Sequence, residues 1–434
     1  MFECAVKTTV EKFDFRQNAS IILLIYFVTF FIYSDFGIHS FFGVFLLTAY
    51  LILEIAQFIL IDKKSVFNVF KSKKWNCTII LLVAILFSVL NKFYFDKTEI
   101  FYVIIAIISL GIGTFSKNIK DVQMVMLEKI AIVTALIISA IIYAYRICPN
   151  IYNMTLLKLL SPESKEYVMR ITGEGYCVTV GGEISYTLLL IIIGIIFLMF
   201  GGTLKNLFNK LFLFFVMFGA ILISQRRTEL VFIILTLFVG FFVKYRKYLF
   251  CFISKHKKCI ICLSIICLIV GICLGGWIWS MPSDYTSKSR IIQTFLDIKN
   301  GKDITTGRSA LYKVAGELLD ENFIRGIGWM NFSKYAILTG NIHARNVHCI
   351  YLQLLVENGI FLFVIILFTF IWNLKKVMNN LEKNKNAMIP FTFLVYVFSA
   401  GLIDNTIYYP YFWTLYILML IIAYKEEEEF EFRV

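Results

Sequence analysis

Long hydrophobic runs separated by short polar gaps set the layout of this chain. Twelve runs approach the length of a membrane span, at about 19–34, 37–61, 76–94, 99–115, 122–146, 184–202, 211–224, 228–243, 259–280, 349–372, 388–403 and 407–424. Crossing the hydrocarbon core of a bilayer takes about 20 apolar residues in a helix, and fewer where flanking side chains snorkel. The pattern therefore predicts an all-α polytopic membrane protein of about twelve transmembrane helices, with a large helical external loop between spans 9 and 10. Three regions follow. Residues 1–280 carry spans 1–9 and an external loop at 147–183, residues 281–348 form the large external loop, and residues 349–434 hold spans 10–12 and an acidic tail.

Within the large loop the apolar period changes. From Ser309 to Glu321, Leu311, Ala315, Leu318 and Leu319 fall near one helical stripe, with Thr305 or Thr306 as the N-cap. The glycines of FIRGIGW then turn the chain back towards the membrane. In VHCIYLQLLVENGI, Gln353 and Glu357 share a face four residues apart. That spacing predicts a wet outer half-helix over 348–358, with the true span beginning near Gly359.

Composition agrees with a membrane class. The 434 residues are 59% hydrophobic and 16% charged, against about 25% charged in soluble domains. The net charge of +13 does not point to nucleic acid, because Lys and Arg gather in the gaps between apolar runs instead of on one soluble face. With the N-terminus inside, the inner segments carry 24 Lys and Arg and the short outer gaps carry 8. Both termini are therefore expected in the cytoplasm, with the loops at 147–183 and 281–348 outside. The N-terminal residues lack the order of a cleaved signal peptide, so Ala19 to Tyr33 reads as an uncleaved first span. Most of the ten cysteines lie in or beside apolar runs, as small hydrophobes do. Cys148 and Cys177 share an outer loop and are candidates to pair in an oxidising compartment.

Candidate chemistry gathers on the outer side. Arg226 and Arg227 interrupt the hairpin ILIS-QRRTE-LVFII. They are either interfacial anchors or an anion site, since a guanidinium is always charged and grips phosphate as a fork. Arg308 opens the predicted loop helix. His348 stands where the loop becomes a helix, and is either an interfacial residue or a proton acceptor kept neutral by the positive end of the helix. Unpaired N–H groups at such a helix start also favour phosphate. Glu128 and Lys129 read as a snorkelling pair, while Glu54 has no assignment. Two histidines, His343 and His348, without carboxylates at ligand spacing give no zinc site, and no phosphate-binding G-x-x-x-x-G-K-[ST] loop is present.

These pieces, in their order, resemble the O-antigen polymerase and ligase family of bacterial envelopes. The resemblance rests on ISQRRTELV on a late hairpin, TGRSALYKVAGELLDENFIRGIGWMNF opening a large external loop, and NVHCIYLQLLVENGI leading back into the membrane, and covers roughly residues 210–372. The family usually places Ser-Arg before a small residue or Thr, so Arg227 before Thr228 is the match. It commonly shows His-Asn where this chain has His348-Cys349, and Asn346 stands two residues early. The resemblance implies a glycosyltransferase without metal or cofactor, acting on polyprenyl-diphosphate-linked oligosaccharide at the outer face of the cytoplasmic membrane. It implies Arg227 and Arg308 on the donor diphosphate and His348 as base. Arg170, Arg226, Arg290 and Arg325 are further candidates for phosphate or acidic-sugar contacts, and Asn346 for the missing amide. A chain-length regulator and a flippase are the implied partners, besides the lipid bilayer itself. A ligase handing the glycan to a lipid or protein would use the same chemistry. A polysaccharide flippase would spread its basic residues over many spans, and a general transporter would place ionisable residues near mid-bilayer in symmetric halves.

Overall fold

The computed structural model describes residues 76–90, 121–147, 184–224, 227–255, 290–301, 308–338, 346–408 and 412–423, with scattered positions between 48 and 55, 104 and 111, and 269 and 282. The expected spans at 19–34, 37–61, 99–115 and 259–280 lie wholly or mostly outside these residues, as do Glu54, Cys148 and Cys177.

Among the described residues there are helices and connections and no strand. In chain order the helices are α1 (Asn76–Leu90), α2 (Asp121–Ile147), α3 (Ile184–Phe200), α4 (Leu207–Ser224) and α5 (Arg227–Lys255), then α6 (Arg290–Lys299), α7 (Arg308–Asn322) and α8 (Phe332–Leu338), and finally α9 (Ile350–Asn379), α10 (Met388–Ala400) and α11 (Phe412–Ala423). Helices α2, α4, α5 and α9 are long and apolar enough to cross a membrane, and α3, α10 and α11 are shorter apolar helices. The described residues are thus an all-helical assembly with helices suited to a membrane. Helix α5 runs past its expected end through Lys244 and Arg246, because straight-chain basic residues continue a helix readily.

Helix α3 is the centre, almost every residue from Leu188 to Phe200 being buried. Its neighbour α2 presents Ala131, Ala135 and Ser139 at four-residue spacing, and Gly194 of α3 sits against Ala131 and Ala135. Without a hydrophobic drive between helices in lipid, such small residues let backbones approach and gain dispersion. Helix α5 packs antiparallel to α10. Glu229 at the start of α5 and Asp404 just past α10 flank Tyr396, Gly240 abuts Thr392, and Arg246 pairs with Glu382 at 3.0 Å.

Glu128 departs from expectation. It is buried while Lys129 is exposed, as adjacent helical residues point about 100° apart. Instead of snorkelling beside Lys129, its carboxylate accepts from Gly202 N–H (3.1 Å), from Thr203 N–H (3.0 Å) and from the Thr203 hydroxyl (2.6 Å), closing the turn between α3 and α4.

Helix α9 is two helices. Gly359, at φ 68° and ψ 173°, breaks it into an N-terminal segment Ile350–Asn358 and a longer apolar one. The bend is sharp: the Tyr351 hydroxyl donates to the Phe398 carbonyl at 2.7 Å, and Phe370 packs edge-on against the Phe398 ring. In a straight helix Tyr351 and Phe370 would stand about 28 Å apart, too far to share one neighbour. The break is where sequence places it. The segment before it is not wet, however, because Gln353 and Glu357 are 1% and 0% exposed.

Candidate active site

Helix α7 lies beside the first segment of α9 and runs the same way. Leu311, Ala315 and Leu318 form its buried stripe and join Val347, Val356, Ile327 and Phe332 in a small apolar core apart from the main one. Tyr312 and Cys349 both pack against this core, and burial raises the pKa of the Tyr312 phenol, with Cys349 adding to the effect and Arg308 opposing it. At the far end, Ile360 N–H donates to the Phe323 carbonyl at 2.9 Å. The two contact points are equally spaced along the two helices, as parallel helices in register require. The N-terminal ends of α7 and α9 therefore lie together, with Arg308 at the start of one and His348 just before the other. Both ends carry the partial positive charge of a helix start. That setting favours an anion and disfavours an imidazolium.

His348 itself has φ 59°, a left-handed backbone that a residue with a Cβ adopts at a cost of about 1–3 kcal/mol. Met330, in the loop after α7, shares that conformation at φ 59°. Two such residues need surroundings that fix them, and one buried polar network touches both loops. The Gln353 amide oxygen accepts from Val347 N–H (3.1 Å) and from the Asn405 amide (2.5 Å), while its nitrogen donates to Asn346 Oδ1 (3.3 Å) and Glu357 Oε1 (3.0 Å). The Glu357 carboxyl in turn accepts from Met330 N–H at 2.8 Å and Phe332 N–H at 3.3 Å. Below this, Trp329 inserts into the main core and packs on Tyr408 at 5.0 Å between ring centres. The Tyr408 hydroxyl points to Glu357 without reaching hydrogen-bond geometry.

The loop after α7 also docks through its backbone. The break at Gly359 frees carbonyls of α9, and Ile327 N–H takes that of Val356 (3.0 Å) while Gly328 N–H takes that of Glu357 (2.8 Å). Gly326, at φ 70°, sits on the backbone of Glu357 and Gly359, and Gly359 on that of Ile324 and Arg325, so neither has room for a Cβ.

Half-buried Arg227 opens α5. Its end of α5 meets the end of α10 through Glu229, Tyr396 and Asp404. There Asn405 reaches Gln353, and Ile350 N–H donates to the Gly401 carbonyl at 2.8 Å. Arg227, Arg308, Asn346 and His348 thus share one end of the helix bundle. Arg325 is exposed at the opposite end of α7, roughly 20 Å from Arg308 along the helix, beside the Gly359 break. Arg290 opens α6. Arg170 and Arg226 lie outside the described residues. Gln353 and Glu357 carried a sequence signal, their four-residue spacing, but not one for burial. Asn405 and Trp329 carried none that singled them out.

Comparison with known families gives a match. The O-antigen ligase family model matches residues 212–367. This segment, just over a third of the chain, is similar to that family's domain. It spans α4 to the middle of α9 and so contains Arg227, Arg308, Asn346 and His348, in agreement with the resemblance read from the sequence. The family is glycosyltransferase-like and acts on lipid-linked polysaccharide in a membrane. No curated protein and no solved structure matches the chain.

Proposed function

We propose that the chain is a twelve-span polymerase of the bacterial cytoplasmic membrane that joins polyprenyl-diphosphate-linked repeat units at its outer face, with both termini inside. The observation that carries this reading is that the helix opened by Arg308 runs beside the one preceded by His348, within the segment that the O-antigen ligase family model matches. In the reaction, an acceptor sugar hydroxyl attacks the anomeric carbon of the donor while the bond from that carbon to the diphosphate oxygen breaks. His348 takes the hydroxyl proton. Arg227 and Arg308 stabilise the charge that gathers on the departing polyprenyl diphosphate, a term of several kcal/mol when donors are fixed in advance. Arg226, Arg170, Arg290, Arg325 and Asn346 are assigned to substrate contacts. A flippase supplies the donor at this face, and a chain-length regulator acts on the product.

The ligase reading has one specific support, the family's own description, and it differs only in acceptor. The test is a liposome assay with a synthetic polyprenyl-diphosphate repeat unit, in the presence of a chelator, for wild type, Arg227→Ala and His348→Ala. A ladder of longer lipid-linked products, lost in both variants, is expected. For His348 the loss is about 10²–10⁴-fold, the contribution of a positioned base. Transfer only to an added lipid or protein would make the protein a ligase, and a substrate that merely changes leaflet would make it a transporter.

A further inference from the structure

The buried pair Gln353 and Glu357 holds the loops on either side of it, and touches the site at Asn346. We propose that Gln353 and Glu357 are positioning residues for His348, clamping its left-handed backbone so that the imidazole faces the substrate. This rests on the proposed role of His348 as base.

The geometry of the clamp is specific in direction. Each polar atom of the Gln353 amide is engaged twice, the oxygen by Val347 N–H and the Asn405 amide, the nitrogen by Asn346 and Glu357. Turning the amide over would set its N–H groups against two donors. Glu357, acceptor only when ionised, receives Gln353 on one side and the backbone N–H groups of Met330 and Phe332 on the other. Each of the two strained residues is thus gripped at or beside its own nitrogen: Met330 directly, and His348 through the preceding Val347. The chain supplies three separate segments to this one knot: 330–332, 346–347 and Asn405. A helix needing only stability at that point would be served by apolar residues, whereas a polar clamp fixes a direction.

A role through His348 differs from a merely structural one in two measurable ways. In the liposome assay, Gln353→Leu is expected to lower kcat at least tenfold with little change in KM, and to cost nothing further once His348→Ala is present. An equal loss in the two backgrounds would overturn the proposal. The second readout needs no turnover: the rate at which diethylpyrocarbonate modifies His348, read by mass spectrometry against the other histidines. It is expected to change several-fold in Gln353→Leu and in Glu357→Gln, and an unchanged rate would refute the clamp. If wild type makes no polymer, the function reading fails, and the modification rate still decides the clamp. Where Gln353→Leu does not reach the membrane folded, Asn405→Ala, which removes one of the four bonds, takes its place in both measurements.

Discussion

Replacing Gly359 with alanine tests how the two outer helices are joined. The residue sits at φ 68° and ψ 173°, a region reserved in practice for glycine, so an alanine held there costs about 1–3 kcal/mol. Its Cβ would also lie 2.6 Å from the Ile324 carbonyl carbon and 2.8 Å from that of Arg325, both backbone atoms that no rotamer change can move. The overlap is relieved only if residues 323–328 lift off α9. That breaks the three backbone bonds Ile327–Val356, Gly328–Glu357 and Ile360–Phe323, each worth about 1 kcal/mol. The sum is about 4–6 kcal/mol, a large share of the 5–15 kcal/mol that typically separates folded from unfolded. Gly316, mid-helix in α7 with nothing near its Cβ, is the control. There alanine should stabilise slightly, by about 0.5–1 kcal/mol. Thermal unfolding in detergent, with trypsin cleavage at exposed Arg325 as a local probe, separates the two. Gly359→Ala should melt well below wild type and be cut faster, while Gly316→Ala should do neither. A Gly359→Ala protein that melts and resists trypsin like wild type would refute the packing of α7 on the break in α9.

Three further outcomes follow from the same contacts. Arg308→Ala should raise the donor KM in the liposome assay, and Arg308→Lys should recover only part of the loss, since an ammonium keeps the charge but not the bidentate fork. Glu128→Ala leaves the Gly202 and Thr203 N–H groups without their acceptor and should destabilise by about 1–3 kcal/mol, seen as a lower melting temperature with unaltered KM. Glu382→Ala removes the Arg246 partner, but both side chains are more than half exposed, so its melting temperature should stay within the effect of about 0.5 kcal/mol.

The parts legible in sequence are those whose cause is local. A helix in lipid must be apolar over its whole length, so α2, α3, α4 and α10 lie close to where their apolar runs lie. The stripe of Leu311, Ala315 and Leu318 likewise announces both α7 and its buried face. The break at Gly359 was visible too, because a polar Glu-Asn-Gly interrupts an apolar run. What lies on the polar face was not visible. A four-residue spacing says that Gln353 and Glu357 point the same way, and says nothing of what they meet. Polar side chains at a membrane boundary are expected in water, and only the fold brings residues 330–332 and Asn405 over them. The left-handed backbones of Met330 and His348 were hidden for a related reason. Glycine advertises that conformation, as at Gly326 and Gly359, whereas a residue with a Cβ adopts it only under tertiary constraint. Local rules should fail where a chain holds a side chain for chemistry instead of for stability. Of the two such failures among the described residues, one is the histidine assigned as base, and the other is bonded through its own nitrogen to the carboxyl that helps to hold it.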